Sequence, residues 1–487
     1  MTGSNLRILI PEVFLFLSAL FIFAYDLGIK RKNPRQIGYI ALAGIAITGI
    51  LLIFFHGGIL YHGMFSSDSL SVFFKIIFLG SAFMAIGASF EIASEKIRNH
   101  RGEYYGLILL STVGMMFLSS ANELLTLYVG LELTTIPLYV LVAYYKDDKL
   151  SVEAGLKYLI VGAFSSAILL YGLSLLYGMT GSTYLVGIKI NLSVIFLTYG
   201  KIGPGLILAM VMIIAGIGFK LALVPFHMWA PDVYQGAPTP ITGFLSVGSK
   251  AAGVIAFSRI FVNGLIAFST DVMKPLDWGI IVAILASAAM IIGNITALRQ
   301  RNIKRMLAYS SIAQIGYVMV GMVAASTMGV AAVGYYMFIY LFANMGAFTI
   351  ATIFNDKTGS DDIVNYAGLS KSSPFFAACM TIFLLSLAGI PPLGGFVAKY
   401  LVFAAGIQAG YTWLVILALL TAVVSLYYYA NIIKMMYFSP ETPAQPIKPS
   451  LLARLILLIA VAGIIFWGVF PGTILNFATE TAKVFAF

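Results

Sequence analysis

The chain is a succession of long apolar runs separated by short polar connections. Runs of about the 20 residues that a bilayer core requires fall near 8–28, 37–56, 69–91, 104–120, 123–145, 154–178, 204–226, 240–263, 278–298, 303–325, 329–354, 374–404, 412–438 and 450–470. The pattern predicts about fourteen helical membrane spans. No ten-residue alternation of apolar and polar positions runs through it, which excludes a transmembrane barrel. The segment 183–198 is apolar but short and holds Lys189; it is read as lying along the outer surface rather than crossing.

Composition agrees. Hydrophobic residues make up 60% of the 487 positions and charged residues 10%, against about 25% charged in soluble domains. Mean hydropathy is +0.97, so the protein is an integral membrane protein. The net charge of +10 does not point to nucleic acid, because the cations sit in alternate connections. KRKNPR (30–35), EKIRNHR (95–101), KDDK (146–149), RQRNIKR (299–305), Lys357 with Lys371, and Lys434, Lys448 and Arg454 form one set. The other set (56–63, 119–123, 325–329, 406–411) is poor in cations, with Lys189, Lys201 and Lys274 as exceptions. Cations mark the inner side, so an even number of spans with both termini outside is predicted.

The first run is followed, not preceded, by its cations, which reads as a retained helix rather than a cleaved signal. The longest connections, about 355–373 and 439–450, are too short to fold alone, so residues 1–487 read as a single membrane domain. Cys379 is the only cysteine, which rules out an internal disulfide, a CxxC pair, an iron–sulfur cluster and a cysteine zinc site. No strand–GxGxxG and no GxxxxGK[ST] motif occurs, and no histidine pair has haem-ligating spacing. No cofactor is expected to bind this chain.

The chemistry lies in charges inside the spans. Each costs about 2.5–3.5 kcal/mol at the bilayer centre on insertion scales, which makes it a functional candidate. Glu132 lies within NELLTLYVGLELTTIPLYVLVAYY, five residues before Pro137. Lys220 precedes Pro225 by the same interval in GIGFKLALVPFHMWAP. Lys250 is central in ITGFLSVGSKAAGVIAFSRI, and Lys399 follows the Pro-Pro/Gly-Gly interruption of LAGIPPLGGFVAKYLVF. A proline opens a helix, and carbonyls freed at membrane depth must face protein or water. Broken helices beside buried charges build midplane ion sites. One glutamate and three lysines therefore read as a proton relay; the bland readings are a helix–helix polar contact for Glu132 and snorkelling for the lysines. For Lys157, a surface i,i+4 pair with Glu153 and a relay role both stand. For His227, a relay role and a cap on the opened helix both stand. His56, His62 and His100 read as solvated, Lys304 and Arg305 as inner-side anchors, and Tyr427, Tyr428 and Tyr429 as packing.

These residues carry a resemblance. GFKLALVPFHMWAPDVYQGAPTPITGFLSVGSKAAG (218–253), RNIKRMLAYSSIAQIGY (301–317) and AGIPPLGGFVAKYLVF (388–403) resemble the signatures of the antiporter-like membrane subunits of respiratory complex I, the bacterial proton-translocating NADH:quinone oxidoreductase. The length, the stretch KYLIVGAFSSAILLYGLSLLYGMTG (157–181) and the lysine at 399 are similar to the N-type subfamily. The resemblance implies an all-α, polytopic protein of the bacterial inner membrane, with two inverted five-helix repeats (about 104–263 and 278–438) and broken helices, flanked by helices at 8–91 and 450–470. It implies a translocase subunit without a redox centre. NAD, FMN, iron–sulfur clusters and quinone would be bound by partner subunits, and its neighbours in the bilayer would include other antiporter-like subunits. Glu132 and Lys220 would form a modulating ion pair, Lys250 the central link and Lys399 the terminal lysine toward the outer side, with Lys157 also implicated. Gln314 stands where many relatives place histidine. The alternatives are a subunit of a multisubunit Na+/H+ antiporter and a structural membrane spacer.

Overall fold

The computed structural model describes residues 6–28, 34–92, 101–199, 203–265, 277–439, 447 and 449–485. Most of the cationic connections at 30–35 and 95–101, with His100, Lys201, Lys274 and Lys448, lie outside the described residues. Inner and outer are used below in the sense of the cation distribution.

The helices are α1 (Ile10–Gly28), α2 (Pro34–Phe54), α3 (Ser69–Ser89), α4 (Arg101–Ser119), α5 (Leu124–Val142), α6 (Lys149–Thr180) and α7 (Leu185–Tyr199), followed by α8 (Pro204–Leu221), α9 (Trp229–Gly236) and the composite α10 (Thr239–Gly264). Then come α11 (Trp278–Ala297), α12 (Ile303–Val323), α13 (Thr327–Thr358), α14 (Pro374–Ala388), α15 (Gly394–Gln408), α16 (Thr412–Phe438), α17 (Leu451–Val469) and α18 (Gly472–Ala482). Two-residue strands, Ile59–Leu60 and Phe65–Ser66, pair in the connection before α3. Among the described residues, twelve helices are long and apolar enough to span a membrane. The two other expected spans are α4, whose first turn carries Arg101 and Glu103, and the interrupted pair α14/α15. Helix α7 packs at the outer connection, where Leu185 N–H donates to the Asn122 carbonyl at 3.1 Å.

Short polar side chains set the starts. Asp68 accepts from Ser71 N–H at 2.8 Å to cap α3, Glu123 caps α5 through Thr126 N–H, and Asn302 caps α12 through Lys304 and Arg305 N–H. Each satisfies donors that a helix start leaves free. Glycines let the hairpins close: a Cβ at Gly114 would lie 2.4 Å from Thr134 N, and one at Gly293 2.8 Å from Tyr309 O, so α4 meets α5 and α11 meets α12 backbone to backbone. Small-residue contact of this kind drives helix association in lipid, where apolar surface gains little from burial. Helices α10, α12 and α13 form the centre, while α1, α6, α16 and α17 turn side chains such as Phe164, Val423 and Phe466 outward.

Candidate functional site

Both proline interruptions are real breaks with the same closure. Helix α8 ends at Ala222 in the left-handed region (φ 55°), and Leu223 N–H reaches back to the Gly218 carbonyl at 2.8 Å. Helix α14 ends at Gly389 (φ 89°), with Ile390 N–H on the Leu385 carbonyl at 3.0 Å. This six-to-one bond is the Schellman closure. Each break contains a cis proline bond, Val224–Pro225 and Pro391–Pro392. Pro137, by contrast, stays inside an unbroken α5.

The three lysines lie beside these devices and are all buried. Lys220 Nζ donates to Thr135 Oγ1 at 2.6 Å. Glu132, one turn earlier on α5, accepts from Ser166 Oγ of α6, so the glutamate and lysine are not in contact. Each is held by a hydroxyl, and residues three apart on a helix lie about 5–6 Å apart at Cβ. The Lys220 stem runs over Gly253 of α10, where a Cβ would come within 3.3 Å of Lys220 Cγ. Gly253 is one turn from Lys250, so the two lysines share a face of α10. Lys250 follows a π-helical stretch, Leu245–Ser249, a distortion frequent at functional sites. Its Nζ donates to Ser311 Oγ at 2.7 Å.

Helix α12 continues the line. Gln314, one turn after Ser311, donates from Nε2 to the Leu387 carbonyl at 2.9 Å. Lys399 Nζ donates to the same carbonyl at 3.0 Å and to Ala388 O at 2.9 Å, and it lies 4.7 Å from the Tyr317 ring centroid. These are carbonyls that a broken helix leaves free, at the negative end of its dipole. A carbonyl cannot donate, so the Gln314 amide has one orientation: Nε2 toward Leu387, Oε1 accepting from Tyr336 Oη–H. Tyr429 touches both Gln314 and Ser310. A cavity of about 10 Å³ between Gln314, Tyr336, Tyr340, Ser386 and Leu387 is of the size that holds one water. Donors and acceptors are thus placed in succession from α5 through α10 and α12 to α15.

Residues 121–425 match the family described as NADH:quinone oxidoreductase/Mrp antiporter, transmembrane. The chain belongs to this family. A Heliobacterium modesticaldum protein named NADH-quinone oxidoreductase subunit N is 43% identical over 98% of this chain and 99% of its own length. A chain in the structure of respiratory complex I from Thermus thermophilus with bound aureothin is similar at TM-score 0.80 and 31% identity, covering 96% of this chain and 98% of that one. A chain of the Mrp complex from Dietzia sp. DQ12-45-1b has TM-score 0.86 at 19% identity over 100% and 98% of the two chains, a likeness of fold alone. The all-α polytopic fold and the resemblance to the N-type subfamily are borne out.

The remaining predicted residues fall at the edges of the family's central line. Lys157 is 43% exposed and pairs at 2.7 Å with both Glu153 and Asp232. Asp232 of α9 also takes Arg305 of α12 at 2.7 Å. Partial burial pushes the Asp232 carboxyl up, but the hydrogen bonds and charges of Lys157 and Arg305 outweigh this and hold it below the usual carboxylate range. His227 lies within the first break; its ring is largely buried and Nδ1 has no hydrogen-bond partner among the described residues.

Two readings of the sequence are corrected. Lys304, expected to be an inner-side anchor, is buried within the protein: it donates to Ala237 O at 2.7 Å just before α10 and floors an inner-side cavity of about 500 Å³ lined by Asp148, Asp356 and Asp361. Tyr428 and Tyr429 do more than pack, since Tyr428 donates to Asn294 Oδ1 at 3.1 Å and Tyr429 joins the Gln314 network. Two charged clusters escaped the sequence reading. Glu12 and Lys75 form a wholly buried pair at 2.6 Å, and Arg259 pairs with Asp68 at 2.6 Å. Glu12 and Lys75 each interrupt an apolar run and could have been found by the test applied to Lys250. Their pairing could not, because 63 residues separate them.

Proposed function

We propose that this chain is the proton-translocating membrane subunit of an NADH:quinone oxidoreductase, moving protons across the inner membrane while partner subunits bind NAD, FMN, iron–sulfur clusters and quinone and carry out the redox chemistry. The observation that carries the reading is helix α12, which holds Lys250 through Ser311 and shares the Leu387 carbonyl with Lys399 through Gln314. Protons pass from Lys220 to Lys250 and on to Lys399, which releases them to the outer side. Glu132 sets the field at Lys220. When the pair closes, the carboxylate holds the proton on the lysine; when it opens, desolvation drives the proton toward Lys250. Lys157 and His227 flank the inner end of the line, where Lys157 positions α9 through Asp232 and His227 exchanges protons at the break. The two breaks, with their common closure, support two inverted repeats at about 104–263 and 278–438. Both termini then lie on the outer side. Against the Na+/H+ antiporter reading stands the identity to named quinone oxidoreductase subunits, 43% and 42% over nearly the whole chain, against 19% for the Mrp chain.

The test is proton pumping per quinone reduced, in membranes holding the assembled enzyme with Glu132→Ala, Lys220→Ala, Lys250→Ala or Lys399→Ala. Pumping is expected to fall in each. Full pumping with intact assembly would overturn the relay.

A further inference from the structure

A relay couples only if its protons have one way out. Lys250 lies near mid-depth on α10, whose outer end reaches the connections around Asp68 and 119–123. A path straight outward along α10 would bypass Lys399. Nine residues after Lys250, about 13 Å along the helix, stands Arg259, which is fully buried. Its guanidinium donates to Asp68 Oδ1 at 2.8 Å, Asn122 Oδ1 at 2.9 Å and the Ser119 carbonyl at 2.8 Å. Two outer-side connections thus close on one cation. The residues between, AAGVIAFS, carry no charge. After Lys399 the corresponding nine, YLVFAAGIQ, also carry none, and they end on Gln408, which is exposed. Among the described residues, α10 thus carries a buried cation beyond Lys250, and α15 carries none beyond Lys399.

We infer that Arg259 is the outer seal of the first half of the relay. A guanidinium stays protonated at any pH a cell meets, so it cannot accept a proton and pass it on. Its fixed charge also repels an arriving proton, as a pore arginine excludes protons elsewhere. Asp68, Asn122 and the Ser119 carbonyl hold the cation in place, and Arg259 acts as a positioning and barrier residue that touches none of the lysines. The inference rests on the proton-relay reading above.

The experiment uses the assembled enzyme in proteoliposomes. Passive proton leak is measured without turnover, and pumping per quinone with it. Arg259→Met is expected to raise passive leak by at least about tenfold, the factor that 1.4 kcal/mol of barrier represents, and to lower pumping per quinone. Arg259→Lys keeps a cation and is expected to restore most of the tightness. Asp68→Asn keeps an oxygen to cap α3 and leaves the guanidinium charge in place, so it is expected to stay tight. A tight Arg259→Met enzyme would overturn the inference. Equal leak in Arg259→Met and Asp68→Asn would also overturn it, by making the cluster a structural latch. The leak is read at rest, so failure of the lysine relay, seen only in turnover, is told apart from failure of the seal.

Discussion

The pair Glu12–Lys75 allows a quantitative test of what buried charge costs in this fold. Both side chains are fully buried and 2.6 Å apart. At an effective dielectric near 20 their attraction is about 6 kcal/mol, while taking the two ions out of water costs several kcal/mol each. The net worth of the pair is therefore near zero. Removing one partner is different, because the survivor must stay charged without compensation or neutralise. At pH 7, protonating a carboxyl of ordinary pKa costs about 3.7 kcal/mol, and deprotonating an ordinary lysine about 4.6 kcal/mol. These are ceilings, and they agree with the roughly 3–5 kcal/mol measured for broken buried pairs. Lys75→Met and Glu12→Leu are each expected to lose about 4 kcal/mol, and the double variant to lie within about 1 kcal/mol of the parent. The assay is reversible unfolding in mixed micelles, with the four proteins compared as a double-mutant cycle. A double variant losing about 8 kcal/mol, the sum of the singles, would refute the reasoning.

Other outcomes are equally checkable. Ser311→Ala removes the hydroxyl that Lys250 donates to and is expected to lower pumping per quinone several-fold while assembly, read by native gels, is kept. Gly395→Ala would place a Cβ 1.8 Å from the Ser386 carbonyl oxygen, so α14 and α15 must part and the assembled yield should collapse. The Asp232 carboxyl is held below its unfolded value by Lys157 and Arg305. Its stabilisation is thus present above about pH 3.9, the unfolded value, and lost as pH falls through the lower folded value. An acid-unfolding step in that window should be absent in Asp232→Asn.

The number and placement of the membrane helices could be read from the chain because a bilayer imposes one requirement, about 20 apolar residues with an internally bonded backbone. The breaks at Pro225 and Pro391–Pro392 were legible for the same reason, since proline acts on its own helix. So were Lys220, Lys250 and Lys399, which stand out as cations in apolar runs. Partnership was not legible. Thr135 receives Lys220 from 85 positions away and Ser311 receives Lys250 from 61 away, and neither hydroxyl stands out among the other serines and threonines of α5 and α12. Glu132 and Lys220 suggested direct contact, yet each is bonded to a hydroxyl instead, Ser166 and Thr135. Lys304 looked like an anchor by its place in RQRNIKR and is instead buried against the Ala237 carbonyl, between α9 and α10. Gln314 stood out only against the relatives' histidine, and its partner was not legible, because it depends on a carbonyl that only the broken end of α14 sets free. Sequence by itself determined which residues pay the cost of leaving water. The tertiary structure decided which of them meet, because contact in a packed bundle depends on the rotation and depth of each helix, and the apolar pattern leaves both open.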